Sequence, residues 1–169
     1  MADMPPSFRE VQHFKQLWIW AIVLGVAAIF WYALITQIFY GRPFGANPMP
    51  NWLLLILWLL IGIGLPLLIY ASHLTTEVRE DGLYLRFFPF HLSFRPIAFE
   101  HIKRCRVRTY KPIREYGGWG IRYKPGGGRA FNVYGNRGVQ LTMINGKKIL
   151  IGSQRPEELL AAIQQKKSG

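Results

Sequence analysis

Residues 17–40 read LWIWAIVLGVAAIFWYALITQIFY and residues 52–72 read WLLLILWLLIGIGLPLLIYAS, and neither run contains Lys, Arg, Asp or Glu. Each exceeds the ~20 apolar residues that cross a hydrocarbon core about 30 Å thick in helical conformation. Two such runs in a chain of 169 residues leave too little protein to bury both, so the pair predicts a membrane hairpin. The connection, residues 41–51, holds three prolines and one charge, Arg42, and reads as an ordered, irregular turn. Trp18, Trp20, Trp31, Tyr32, Phe39 and Tyr40 gather toward the ends of the first run, where amphipathic rings prefer the headgroup region. Gly25, Ala27 and Ala28 offer a small-residue face for close helix contact. In the second run Gly62, Gly64 and Pro66 lie together, and Pro66 removes a helix hydrogen bond, which predicts a bend. Tyrosine is the one ionisable residue type in either run, which argues against a channel or transporter pathway.

Charge then divides the chain. The net formal charge is +12. From His73 onward eighteen Lys or Arg stand against seven Asp or Glu, whereas before Leu17 the count is two against two. The rule that positive flanks stay inside predicts both termini in the cytoplasm. Residues 1–16 do not read as a cleavable signal peptide, since Asp3 and Glu10 sit where a basic region belongs. Ser7 can cap a short helix with Phe8, Val11, Phe14 and Trp18 on one side, so residues 1–16 read as an interfacial lead-in, with a frayed tail as the alternative. The single cysteine, Cys105, allows no internal disulfide and suits a reducing compartment.

From His73 the period changes to two. Residues 74–80 and 83–88 flank Asp81 and Gly82, and residues 139–144 and 147–152 flank Asn145 and Gly146; both read as tight hairpins. Between them, residues 103–110 alternate with Cys105 and Val107 on one face and Arg104, Arg106 and Arg108 on the other. Trp119, Ile121 and Tyr123 alternate with Gly120, Arg122 and Lys124, and residues 130–134 form the next strand. Pro89 and Pro96 interrupt the pattern, and residues 98–102 read as a turn. Pro156, Glu157 and Glu158 open a terminal helix that closes with Lys166 and Lys167, matching acids and bases to the helix dipole. The expectation is about seven strands and one C-terminal helix.

No chemistry emerges from the motifs. Gly126, Gly127 and Gly128 lack the Lys-Ser or Lys-Thr and the helix that a phosphate loop needs, and read as a hairpin loop. His13, His73, His91 and His101 have no second ligand pair at metal-binding spacing, so neither metal nor cofactor is expected. Cys105, opposite the arginines, reads as a buried, inert thiol. No Ser, His and acid combination has a suggestive spacing, and no enzyme is expected. The feature left is basic: Arg104, Arg106, Arg108, Lys111 and Arg114, joined by Arg122 and Lys124 from what reads as a neighbouring strand. Near an anionic leaflet each such charge is worth about 1 kcal/mol. Tyr110, Tyr116, Trp119 and Tyr123 interleave with them as in a single-strand nucleic-acid surface, but Trp119 and Tyr123 read as core, and a tethered domain gains little from nucleic acid.

The runs Glu115-Tyr116-Gly117-Gly118-Trp119-Gly120-Ile121-Arg122 and Ile151-Gly152-Ser153-Gln154-Arg155-Pro156-Glu157-Glu158-Leu159, with Asn132, Val133, Gly135, Gly138 and Val139 between them, resemble small prokaryotic membrane proteins with two crossings and a C-terminal bacterial PH-like domain. The resemblance covers nearly the whole chain. It implies a helical hairpin (first crossing 17–40, second 52–72) followed by a mainly-β PH-like barrel (73–169) of about seven strands capped by a C-terminal helix. Such domains are generally implicated in assembly and protein contact; fold alone carries no function. The resulting expectation is a non-enzymatic accessory or scaffolding subunit of a larger complex, respiratory or photosynthetic for example, in a bacterial or archaeal inner membrane. Gly25, Ala28, Gly62, Gly64 and Pro66 would pack against partner helices, and the basic residues would meet an acidic protein. The alternative is an anionic-lipid-binding or lipid-sensing module acting alone or as a homo-oligomer.

Overall fold

Two long apolar helices interrupt a β-rich chain between its first and second strands. The computed structural model describes residues 5–124 and 128–168. They form two units: one is Phe14–Ala71, and the other joins the N-terminal segment ending at His13 to the residues from Ser72 onward. Helices α1 (Leu17–Phe39) and α2 (Asn51–Ala71) are long and apolar enough to cross a membrane, within one residue of the expected boundaries.

Within the helix pair the irregularities have local causes. The second helix passes from α geometry over Asn51–Leu57 through a π-helical stretch, Trp58–Gly64, and back to α at Leu65–Ala71. The π stretch ends just before Pro66, which has no N–H for the Gly62 carbonyl one turn back. The Trp31 indole of α1 donates to that carbonyl at 3.2 Å, so the orphaned acceptor is satisfied from the neighbouring helix. Trp31 also meets Trp58 edge to face at 5.0 Å. In the connection, the Gln37 side chain donates to the Met49 carbonyl (2.7 Å) and to Asn51 Oδ1 (2.8 Å), which orders a segment without regular structure.

Among its described residues the other unit has nine strands in two sheets. The first sheet is an antiparallel meander of β1 (Phe8–His13), β2 (His73–Val78), β3 (Gly82–Phe88) and β4 (Arg95–Ala98). The second contains β5 (Ile102–Thr109), β6 (Gly120–Lys124), β7 (Gly128–Asn132), β8 (Arg137–Met143) and β9 (Lys148–Gly152) in the order β5-β8-β9-β7-β6, with β7 and β9 parallel. A five-residue helix, α3 (Pro112–Tyr116), follows β5, and α4 (Pro156–Ser168) ends the described chain. Leu74, Val78, Leu83, Leu85 and Phe87 of the first sheet are buried, as are Val139, Leu141 and Ile151 of the second and Leu159 and Ile163 of α4.

Several expectations are corrected here. Among the described residues the count is nine strands instead of about seven, and the sheets do not close into a barrel: β1, β4, β5 and β6 remain edges. The N-terminal lead-in is not helical. Phe8–His13 is a strand paired in full register with β2, from Phe8↔Val78 to His13↔His73. Its alternation is inverted in polarity, with Phe8, Glu10 and Gln12 buried and Arg9, Val11 and His13 exposed. Glu10 accepts from Ser153 Oγ (2.6 Å) and the Gln154 N–H (2.8 Å), and Gln12 Nε2 donates to the Gly152 carbonyl (2.8 Å). The strand β4 forms despite Pro96 because it is an edge, where one face of the ladder needs no N–H. Gly82 lies inside β3 without a positive φ; the turn residues are Glu80 and Asp81, closed by the Arg79 N–H donating to the Gly82 carbonyl at 2.9 Å. A Cβ at Gly82 would stand 2.8 Å from the Ile97 carbonyl oxygen, so the glycine serves the close approach of β4.

Candidate functional site: a basic sheet face and an apolar groove

Register assembles the basic residues. Residues directly opposite in a sheet share a face. The ladders give one row of Arg104, Thr142, Lys148, Gly128 and Lys124, and a second of Arg106, Gln140, Leu150, Ala130 and Arg122. The sequence places Arg122 and Lys124 on a strand next to that of the arginines; in the structure β5 and β6 are the two outer edges of the sheet, four strand spacings or about 19 Å apart along it. They nonetheless contribute to the same face. A bulge at Lys103 sets this up, because it lets Ile102 turn into the core while Arg104 turns out.

The middle of that face is covered. Tyr110 and Tyr116 pack with Ala130 and Leu150 as a buried cluster, which seats α3 on the sheet. Lys111 and Arg114 are exposed at and on α3, while Arg104, Arg106, Arg122 and Lys124 are exposed at the sheet edges, and Lys148, which the sequence reading omitted, is exposed between them. Arg108 stands apart from the rest. Its guanidinium is bound to the Glu115 carboxylate and donates to Gln140 Oε1 at 3.3 Å. Burial alone would raise the Glu115 pKa, but the Lys111 N–H, the Arg108 guanidinium and the charge of Lys124 together hold it below the usual carboxylate value. Among the described residues, the ion pairs leave out Arg104, Arg106, Lys111, Arg114, Arg122, Lys124 and Lys148. Arg122 is oriented instead by donating from Nε to the Trp119 carbonyl at 2.8 Å.

The remaining candidates sort themselves by position. Cys105 is half-buried opposite Leu141, on the face away from the arginines, and burial pushes its thiol pKa up against the opposing charge of Lys167. Tyr123 is not core: its ring is exposed, with the Arg129 guanidinium 5.1 Å from its centroid. His91 is buried and His101 exposed, and among the described residues no three of His, Cys, Asp and Glu gather as a metal site. Gly126 and Gly127 lie outside the described residues.

In the helix unit the small residues fall in different places. Gly62 sits at the contact with α1: a Cβ there would meet the ring of Trp58 on its own helix at 2.9 Å and Trp31 Nε1 of α1 at 3.6 Å. Gly64 faces the Leu59 carbonyl of its own helix. Ala28, Gly62 and Pro66 line a shallow groove of 520 Å³ together with Leu24, Trp31 and Tyr32. Gly25 is exposed with nothing within 4 Å of its Cβ position.

These features define a class: a small β unit, closed by a C-terminal helix, that carries a pair of long apolar helices between its first two strands. The chain belongs to DUF6141, a family of unknown function, whose profile matches residues 3–168. No curated protein and no solved structure matches it.

Proposed function

We propose that the chain is a non-enzymatic accessory or scaffolding subunit of a larger complex in a bacterial or archaeal inner membrane. Its helix pair crosses the bilayer and packs against partner helices, and its β unit covers an acidic cytoplasmic surface. The observation that carries this reading is the groove of Leu24, Ala28, Trp31, Tyr32, Gly62 and Pro66, an apolar, small-floored channel of the kind that lets a neighbouring helix approach closely. The pairing of β1 with β2 supports one side of the membrane for both ends of the helix pair, since the strand before α1 and the strand after α2 are neighbours in one sheet. The basic excess after the helices supports the cytoplasm as that side. A PH-like fold belongs to the same proposal: two sheets and a C-terminal helix favour it, while nine strands and a parallel β7–β9 pair depart from a seven-stranded antiparallel plan.

A second reading, binding of anionic lipid headgroups, is favoured by the unpaired cations of the β5–β6 face. The two differ in where the energy lies. Extraction of the tagged protein in mild detergent, with sizing and mass spectrometry in low and high salt, separates them. The subunit reading expects one fixed set of membrane proteins that survives high salt and is lost on Ala28→Phe, which fills the groove. A protein that emerges alone overturns it, and bound anionic lipid released by salt then establishes the second reading.

A further inference from the structure

The loop between β3 and β4 is held rigidly yet shows its largest apolar side chains to solvent. His91 is the pin: its residue is only 8% exposed, its ring lies 6.0 Å from that of Phe131, and its N–H donates to the Phe87 carbonyl at 2.7 Å. Phe94 is fixed as well, with the guanidinium of Arg86 4.8 Å from its ring centroid and that of Arg79 5.1 Å away. With His91 turned in, its neighbours on either side turn out, leaving Phe90 62% and Leu92 80% exposed. A pinned loop with two exposed apolar side chains is a surface, not a frayed segment.

Register says which end of the sheet this loop occupies. His13 pairs with His73, and His73 with Phe88. Past His13 the chain runs into α1, His73 follows α2 by one residue, and Phe88 leads into the loop. The row His13–His73–Phe88 is therefore where the sheet gives off both connections to the apolar helices and the Phe90 loop. The opposite row, Phe8–Val78–Leu83, is five residues or about 17 Å away. Residues 87–98 contain no Asp or Glu, and Arg95 follows the loop directly.

We propose that Phe90 and Leu92 form an interfacial anchor, entering the boundary between headgroups and acyl chains of the bilayer that α1 and α2 cross, with Arg95 meeting headgroup phosphates. This rests on the reading that the helices span a membrane. The loop is a third point of attachment beside the two covalent ones, and it limits rocking of the β unit about them.

The test uses the full chain with Cys105→Ser and one new cysteine carrying an environment-sensitive fluorophore, reconstituted into phosphatidylcholine–phosphatidylglycerol vesicles. A fraction of the lipids carries a nitroxide, either near the headgroup or deep in the acyl chain. Phe90→Cys and, separately, Leu92→Cys report on the loop. Ile144→Cys is the reference, being 66% exposed and tied through its N–H to the His101 carbonyl (2.9 Å), beyond the end of β4 that pairs with Gly82. Leu60→Cys reports on α2. The shallow nitroxide is expected to quench the loop labels about twofold or more over the Ile144 label. Loop labels quenched no more than Ile144 and open to an aqueous quencher overturn the anchor, and so do loop labels shielded from both quenchers, which would mean a protein covers them. Deep quenching at Leu60 in the same vesicles keeps the spanning reading intact in those cases; its absence removes the spanning reading and the anchor together.

Discussion

At His91 a single buried side chain links pH to stability. Burial and then the charge of Arg95 lower its pKa, so the folded protein holds the imidazole neutral where an unfolded chain, with an ordinary value near 6.5, takes up a proton. A depressed histidine pKa means that stability is unaffected at high pH and is lost as pH falls below about 6.5, until the folded state too binds the proton. The slope in that window is at most about 1.4 kcal/mol per pH unit for one group. The expected outcome is that the unfolding midpoint of the wild-type protein in detergent drops between pH 7 and pH 5, while that of His91→Gln changes much less. Glu115 does not interfere in this range. Its pKa is below the usual carboxylate value, so the stability it contributes is lost only as pH falls through that lower region. Equal slopes for wild type and His91→Gln would show that some other group titrates.

Among the elements, β1 is the one whose role sequence periodicity hides. In FREVQH the buried set is Phe8, Glu10 and Gln12, so two polar residues face inward while Val11 faces out. Hydrophobic alternation fails here because the Glu10 carboxylate and the Gln12 amide nitrogen hydrogen-bond to residues more than 130 positions away in sequence. Nothing local announces those partners. Removing the Glu10 carboxylate leaves the Ser153 hydroxyl and the Gln154 N–H without their acceptor. Glu10→Ala is therefore expected to cost about 2–4 kcal/mol, read as a lower denaturant midpoint with faster amide exchange along β1 and β2. A loss below about 0.5 kcal/mol would mean that β1 is held by its ladder alone. The elements that were legible carried their own signals: Asn145-Gly146 for the β8–β9 turn, where Gly146 has φ of +78°, and Pro156 with Glu157 and Glu158 for the start of α4. The short α3 had a weaker signal, Pro112 at its first position and Glu115 three residues on, within a stretch that otherwise reads as strand and loop. The basic set was legible as residue types and alternation. Which strands hold it was not, because the order β5-β8-β9-β7-β6 depends on a parallel pairing that leaves no local trace.

On the scale of the whole molecule, the helix pair is an insertion in a β-hairpin. β1 and β2 are antiparallel neighbours in full register, and what joins them is Phe14–Ser72 instead of a turn. β1 thus waits unpaired while both helices are synthesised, and its ladder groups find a partner only when the chain past Ser72 has been made. The same geometry makes the insertion removable. Because His13 and His73 are direct partners, a two-residue Asn-Gly link between them satisfies the hairpin with the turn that such a register favours. A chain of residues 1–13, Asn-Gly and residues 73–169 is expected to be soluble and to unfold in one cooperative transition. Residues 73–169 alone are expected to aggregate or unfold at much lower denaturant, since Glu10, Gln12 and Phe8 leave with β1. Equal stability of the two chains would show that β1 is dispensable to the unit. Failure of the linked chain, with the full-length protein folding normally in detergent, would show instead that the β unit needs the helices for more than the connection they make.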